Sequence, residues 1–170
     1  MKNRYQHSKA AMMLFNLCAK GSKVLYKHKV LYYLLMFTWG IIMTIIGLLA
    51  SLVLIIGNVN PKRYKNVWYF SLGRYWGGVS LGCTFARDTT SNGTIEPHEY
   101  GHTFQNAILG PFFPFLVAIP SFIRYWYQEI RDKKGKTNKP YDGAWFEDSA
   151  TTIGKYIKEA DDAKNVPEQC

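Results

Sequence analysis

The sequence predicts a mainly α-helical membrane protein with one transmembrane helix, a small β-hairpin and a minimal α+β module. Three observations support this prediction. Residues 31–57 are continuously apolar, and residues 58–95 are rich in aromatic and β-branched residues broken by glycines. A polar helix near residue 100 then leads into a second apolar stretch, which we expect to be re-entrant or shallow. The expected parts are a basic interfacial segment (1–30), a transmembrane anchor (31–57) and a membrane-associated domain (58–170).

The basic segment at residues 1–30 opens a chain whose charge is uneven. The first 87 residues contain 12 Lys or Arg and no acidic residue, and the net charge of the whole chain is +9. Lysines alternate with apolar residues between positions 8 and 29, which is typical of a helix lying on a membrane surface. We therefore expect the basic charge to face a lipid bilayer rather than nucleic acid, for which the chain carries no motif.

The apolar run at residues 31–57 carries the prediction of a membrane span. It has 27 residues and no charged side chain. About 20 apolar residues are enough to cross the hydrocarbon core, because each helical residue adds about 1.5 Å. A 170-residue chain could hardly cover such a helix on all sides. We therefore interpret it as an uncleaved single-span anchor rather than a core helix or a signal peptide.

Two later stretches shape the expected domain. Residues 58–95 predict two strands around a turn near Gly73–Gly77. Residues 107–123 form a 17-residue apolar stretch that contains three prolines, Pro111, Pro114 and Pro120. Each interior proline removes a helical hydrogen bond, so these residues favour a broken, partly inserted segment. A second complete span remains the alternative.

A possible metal-binding motif lies between these stretches, where residues 98–106 read HEYGHTFQN. His98 and His102 are one helical turn apart, so both imidazoles can reach one Zn²⁺. Glu99 is rotated off that line and could take a proton from a zinc-bound water. From the composition of the chain, chance would produce this spacing roughly 0.003 times. The pattern therefore predicts a zinc site with Glu99 as its general base.

A catalytic zinc needs a third protein ligand. The other histidines, His7 and His28, precede the apolar run, so a carboxylate is the better candidate. Residues 141–154 offer three carboxylates: Asp142, Glu147 and Asp148. We select Glu147, because it opens a helix-like stretch and the small Ala150 follows on the same face. Cysteine ligands are not expected, since Cys18, Cys83 and Cys170 have no metal-binding spacing.

The pattern His98-Glu99-x-x-His102 followed by Glu147-x-x-Ala150 resembles the gluzincin branch of the zinc metallopeptidases. The resemblance implies a zincin-like module in which His98, His102 and Glu147 are zinc ligands and Glu99 is the general base. It also implies that residues 77–83 form an edge strand along which a peptide substrate binds.

The chain departs from the gluzincin pattern in two respects. Thr151 stands where gluzincins often carry an aspartate that orients a ligating histidine. The residue that steadies the oxyanion cannot be assigned, and Tyr141 and Tyr156 are candidates.

A wider pattern covers residues 75–154, with WGGVSLG, HEYGHTFQNAILGP and WFEDSAT in that order. It is similar to an uncharacterised family of small bacterial membrane proteins. This similarity implies a bacterial cell membrane as the location and suggests no particular substrate.

The functional prediction is a membrane-anchored zinc metallohydrolase, a peptidase acting on a peptide or a membrane protein. One alternative is a non-catalytic membrane interaction protein with a structural or relic metal site. Another is an intramembrane protease of the site-2 class, in which Asp142, followed by Gly143, would supply the third ligand.

Overall fold

The computed structural model of the chain describes residues 5–90 and 93–164, and this part is mostly helical with one small sheet. The α-helices are α1 (Lys9–Lys27), α2 (Lys29–Phe37), α3 (Ile41–Ile56), α4 (Ile95–Leu109), α5 (Ile119–Lys133) and α6 (Trp145–Lys164). The strands are β1 (Lys62–Tyr64), β2 (Val67–Ser71), β3 (Gly78–Leu81) and β4 (Thr84–Arg87). Shorter 3₁₀ or π-helical turns lie at Gly110–Phe112, Pro114–Ala118 and Tyr141–Gly143.

The four strands form one mixed sheet in the order β1-β2-β4-β3, so the predicted two-stranded hairpin around Gly73–Gly77 was wrong. β2 and β3 do not pair with each other, because β4 lies between them and runs parallel to β2. The connection from β2 to β3 has positive φ angles at Gly73, Tyr75 and Gly77, which makes it an irregular loop. The tight turn lies instead at Gly82, whose φ of 62° suits a hairpin between β3 and β4.

The predicted transmembrane helix over residues 31–57 was also wrong, because the apolar run is divided into α2 and α3. Within residues 5–90 and 93–164, no single helix is both long and apolar enough to cross a bilayer. The axes of α2 and α3 differ by 86°. Side chains bind carbonyl groups at the break: Asn106 donates to Gly40 O at 3.2 Å, which also accepts from Thr44 N, and Thr44 Oγ1 donates to Met36 O at 2.9 Å. These bonds make the bend tolerable, because buried carbonyls then keep hydrogen-bond partners.

A second bend divides the apolar stretch at residues 107–123. α4 ends at Leu109, and Gly110 has a φ of 55°, which redirects the chain. A 3₁₀ turn and the π-helical turn Pro114–Ala118 then lead into α5, and the two limbs differ in direction by 117°. Only together do these limbs have the length and composition of a span. The bend places residues of α5 in the lining of the cavity that His98 and His102 also line.

Helix α4 lies at the centre of the fold and packs against α1, α2, α6 and β3. From α1, the side chains of Phe15 and Cys18 are buried in this core. Cys18 and Cys83 are free thiols, and Cys170 lies outside the described residues. The segment predicted to be interfacial therefore contributes core side chains on one face of α1.

Two glycines allow α4 and α6 to cross at very short range. A Cβ atom on Gly101 would overlap the carbonyl group of Ala150, and one on Gly154 would overlap that of Pro97. At each crossing point, a backbone therefore packs directly against a glycine. This close approach brings the first turn of α6 within reach of the histidines on α4.

Candidate metal centre

Three side chains from α4 and α6 converge on one point. The distances are 3.2 Å from His98 Nε2 to His102 Nε2, 3.0 Å from His98 Nε2 to Glu147 Oε2, and 3.3 Å from His102 Nε2 to Glu147 Oε2. Glu147 is completely buried, and His102 is only 5% exposed. These three residues form a group that could hold a metal ion.

The spacing of the three atoms matches the requirements of a small tetrahedral cation. Zinc binds imidazole nitrogen and carboxylate oxygen at about 2.0–2.2 Å, which places adjacent ligand atoms about 3.3 Å apart. The observed separations of 3.0 to 3.3 Å lie close to that value. The residues therefore fit a zinc-sized ion in both donor type and spacing.

Gln105 determines which nitrogen of His102 faces this point. The Gln105 amide nitrogen donates to Phe146 O at 2.8 Å and also to the hydroxyl of Ser149. Its carbonyl oxygen must then point the other way, and it lies 2.6 Å from His102 Nδ1. Nδ1 therefore carries the proton, and the lone pair of Nε2 points at His98 and Glu147. Lone pairs held so close together repel one another unless a cation, a proton or a metal ion, lies between them.

The other two candidate ligands are also held by hydroxyl groups. His98 Nδ1 lies 2.8 Å from Thr151 Oγ1. Thr151 therefore orients His98 from the position where gluzincins often carry an aspartate. Ser121 of α5 donates to the second carboxylate oxygen of Glu147. Each of the three candidate ligands thus has a partner that limits its rotation, as is usual at metal sites in proteins.

The electrostatics of the group favour a cation. Burial alone raises the pKa of Glu147. When a proton lies between its carboxylate and the facing imidazoles, the hydrogen bonds from His102 and His98 outweigh burial and hold that pKa well below its usual range. Burial lowers the pKa of His102, whereas the hydrogen bond and the charge of Glu147 raise it to about 9. The carboxylate of Glu147 therefore stabilises positive charge at the point where it meets His102 and His98.

Glu99 lies next to this group and lines the same cavity as His98 and His102. Its side chain is 5% exposed, and among the described residues its Oε2 atom has no hydrogen-bond partner. Burial raises its pKa, and the nearby His98 and His102 offset part of this effect. A Cβ atom on Gly78 would clash with this carboxyl group, so the glycine makes room for it beside β3. An unpaired carboxyl group beside a cation site is suited to proton transfer.

Two cavities meet at His98 and Glu99. The first has a volume of about 670 Å³ and lies between β3, α3 and the segment from Phe113 to Trp126. The second has a volume of about 630 Å³ and lies beside Gly77, Thr94 and Asp142. Both cavities are also lined by Trp76, Gly78, Tyr125 and Tyr141. The candidate metal centre therefore lies in the middle of one continuous cleft.

The alternative ligands are engaged elsewhere. Asp142 accepts a hydrogen bond from the hydroxyl of Tyr5 at 2.7 Å. Asp148 is buried and its Oδ2 lies 3.2 Å from His7 Nε2. Within the described ranges, neither aspartate belongs to the metal-binding group. Of the two tyrosine candidates, Tyr141 lines the cleft and contacts Ser121, whereas Tyr156 packs against Tyr26.

Gln105 and Ser121 were missed when the sequence alone was considered. Gln105 follows His102 by three residues, and the i,i+3 spacing on a helix could have suggested a contact. Ser121 had no such signal, because it reaches Glu147 only through the bend between α4 and α5.

Comparison with family models, curated proteins and solved structures finds no match to this chain.

Proposed function

We propose that the chain is a zinc-dependent hydrolase, a peptidase that works at a membrane surface. The observation that carries this proposal is the convergence of His98, His102 and Glu147 at zinc spacing in a cleft. Beside them lies the buried carboxyl group of Glu99, whose Oε2 has no hydrogen-bond partner in the described part of the chain. A structural metal site is closed by protein ligands and needs neither an open cleft nor an adjacent carboxyl group. The non-catalytic alternative is therefore less favoured.

In this proposal the ligands are His98, His102 and Glu147. When bound, zinc would act as a Lewis acid that makes water nucleophilic near neutral pH and polarises a carbonyl group. Glu99 accepts the proton of the attacking water and passes it to the nitrogen of the peptide bond that breaks. The products are a carboxylic acid and an amine.

Tyr141 is the better candidate for stabilising the negative charge that develops on the substrate carbonyl oxygen. Burial, together with the charge of Glu147, raises the pKa of Tyr141, so its hydroxyl group remains a neutral donor. The side chain lines both cavities. A neutral donor in a cleft of low polarity suits this role.

The edge strand β3 supports a peptide as the substrate. In the part of the chain that the structure describes, β3 pairs with β4 on one side only, and Gly78, Val79, Ser80 and Leu81 all line the cleft. An extended peptide can add to such an edge through main-chain hydrogen bonds.

A membrane surface is supported by the large apolar side chains that the fold leaves exposed. On α3 these include Ile45, Ile46, Leu49, Leu52, Val53 and Ile56. Around α5 they include Phe112, Phe115, Ile119, Phe122, Ile123 and Trp126. Monomers in water rarely expose so much contiguous apolar surface, and basic residues in the N-terminal half suit anionic lipid.

The test is to measure zinc content and peptide cleavage together. We expect wild-type protein to bind one zinc ion per chain and to cleave a peptide library. We expect Glu99→Gln to keep its zinc and lose cleavage by at least about a hundredfold, because only the proton acceptor is removed. Glu147→Ala should lose the zinc itself.

The control for loss of one negative charge is Glu159→Gln, since Glu159 is exposed on α6 and pairs only loosely with Lys155 at 3.8 Å. This variant should retain both zinc and cleavage. If Glu99→Gln cleaves as fast as the wild type, Glu99 is not the proton acceptor and the proposed mechanism is wrong.

A further inference from the structure

The two cavities on either side of Glu99 differ in chemistry. Beyond their shared residues, the first is lined almost entirely by apolar side chains, among them Met43, Ile46, Val117 and Phe122. The second is lined by Tyr75 and Ile95 but also by two threonines and by the acidic Glu129 and Asp142, and no lysine or arginine lines it in the described structure. The lining is thus strongly apolar at one end of the cleft and mixed, with two acidic side chains, at the other, and we call these the apolar and the polar cavity.

The strand β3 runs along the cleft and contacts both cavities in turn. Tyr75 and Gly77, just before β3, line the polar cavity, and Gly78 lines both cavities. Leu81, at the end of β3, lines the apolar cavity, next to α3, where a Cβ atom on Gly47 would overlap its carbonyl group. β3 therefore runs from the polar end of the cleft to the apolar end.

A peptide added to the free edge of β3 would span both cavities. Antiparallel pairing is somewhat more stable per residue than parallel pairing. In that direction, the residues before the scissile bond lie beside Leu81 and those after it lie beside Gly77. The apolar end also opens on the exposed side chains of Ile46 and Ile119, which belong to the surface proposed to contact lipid.

From this arrangement we infer the substrate class: a polypeptide cut where an apolar segment is followed by a polar, basic one. The inference rests on the proposed hydrolase function and adds its specificity. Apolar residues before the cut bury their side chains against Ile46 and Val79. Basic residues after it face Glu129 and Asp142, whose Oδ1 also accepts a hydrogen bond from Tyr5. The basic part of such a substrate would not suit the apolar end of the cleft.

The experiment uses two labelled peptides of identical composition. In one, apolar residues precede lysine and serine residues; in the other the order is reversed. Binding is measured by fluorescence anisotropy to zinc-loaded Glu99→Gln protein in mild detergent, so that no peptide is consumed. We expect the apolar-first peptide to bind about tenfold more tightly, as a contact with one apolar side chain typically provides.

A matched pair of variants tests whether the cleft is responsible. Ile46 and Ile45 are neighbours on α3 and are 46% and 50% exposed, but Ile46 lines the cleft whereas Ile45 is outside its lining. In the Glu99→Gln background, Ile46→Ser should weaken binding of the apolar-first peptide about tenfold. Ile45→Ser removes the same amount of exposed apolar surface and should change binding less than twofold.

Equal affinity for the two peptides, a preference for the reversed order, or equal effects of the two serine variants would overturn the inference. Its failure is distinguishable from failure of the proposed function. Zinc-dependent cleavage of both peptides at equal rates contradicts only the specificity. Selective binding without cleavage by the wild type contradicts the hydrolase and supports the recognition of this peptide class.

Discussion

At the level of single residues, the candidate metal centre depends on atoms that never touch the metal position. Gln105 is completely buried and holds His102 from the side opposite to His98. Its amide group is in turn oriented by Phe146 O. This chain of contacts selects the tautomer of His102 that leaves Nε2 available.

Replacing Gln105 tests this selection. Gln105→Leu removes the acceptor for His102 Nδ1, and we expect affinity for zinc to fall about 10–100-fold. Gln105→Glu restores the acceptor but loses the donor to Phe146 O, so it should recover only part of that affinity. The measurement is a competition titration against a chelator, with thermal unfolding as the check on folding. If Gln105→Leu binds zinc as tightly as the wild type, His102 does not depend on this contact.

Thr151 offers a second test at the same scale, with its neighbour Thr152 as the matched control. Thr151→Val is close in shape to threonine but loses the hydroxyl group that meets His98 Nδ1. We expect affinity for zinc to fall about tenfold or more. Thr152→Val makes the same chemical change on the same helix and should leave the affinity unchanged. Equal affinity in both variants would show that Thr151 does not position His98.

At the level of elements, the site exists because α4 and α6 cross closely. The glycines at the crossing points set the distance between the helices, and the first turn of α6 carries Glu147. Ser121 adds a third element, because the bend after Leu109 brings α5 beside that carboxylate. The hydrogen bond from Ser121 to Glu147 therefore connects the bent apolar segment to the metal-binding group.

Gly154→Ala should separate the two helices. The added methyl group would overlap Pro97 O, which belongs to the backbone and cannot rotate away. We expect a loss of about 1–3 kcal/mol in the free energy of unfolding and weaker zinc binding, because Glu147 moves with its helix.

Gly21→Ala on α1 is the control for Gly154→Ala. There the new methyl group meets the side chain of Ile108 and no backbone atom, with Cδ1 nearest at 2.9 Å. Alanine also favours helix by about 1 kcal/mol, so this variant should be as stable as the wild type or more stable. Chemical denaturation measures both variants. An equally stable Gly154→Ala protein would mean that the helices can separate without cost.

At the level of the whole molecule, the exposed apolar residues of α3 and α5 flank one cleft, and the acidic residues are confined to the second half of the chain. This distribution suits a protein that rests on a membrane and takes its substrate from that surface. It requires no straight helix through the bilayer.

Vesicle flotation tests this arrangement. Leu49 and Val53 are 59% and 67% exposed and lie one turn apart on α3. The double variant Leu49→Asp, Val53→Asp should weaken binding to vesicles containing anionic lipid about tenfold or more, because two inserted apolar side chains become charged.

The control double variant, Lys155→Ala with Lys158→Ala on α6, changes the net charge by the same amount. It should have a smaller effect, and this effect should disappear at high salt. If both double variants weaken flotation equally, charge rather than apolar insertion determines binding.

The sequence by itself determined the part of the site that depends on local geometry. The spacing of His98 and His102 puts both rings on one face of any helix, and a small residue after Glu147 indicated close helix packing. Close packing of α4 against α6 then buries His102 and Glu147 together. The sequence also shows that residues 31–57 carry no charge, but this pattern indicates only an apolar segment and not whether its helix is straight.

Only the tertiary structure decided where that apolar segment bends, because Asn106, which is distant in the sequence, binds the carbonyl group of Gly40 at the break. The same is true of the strand order, in which β4 separates β2 from β3, and of Ser121 on Glu147. A local pattern specifies the conformation that a segment favours. The partners of its polar groups are chosen by the rest of the chain, and these partners decide whether a helix continues or turns.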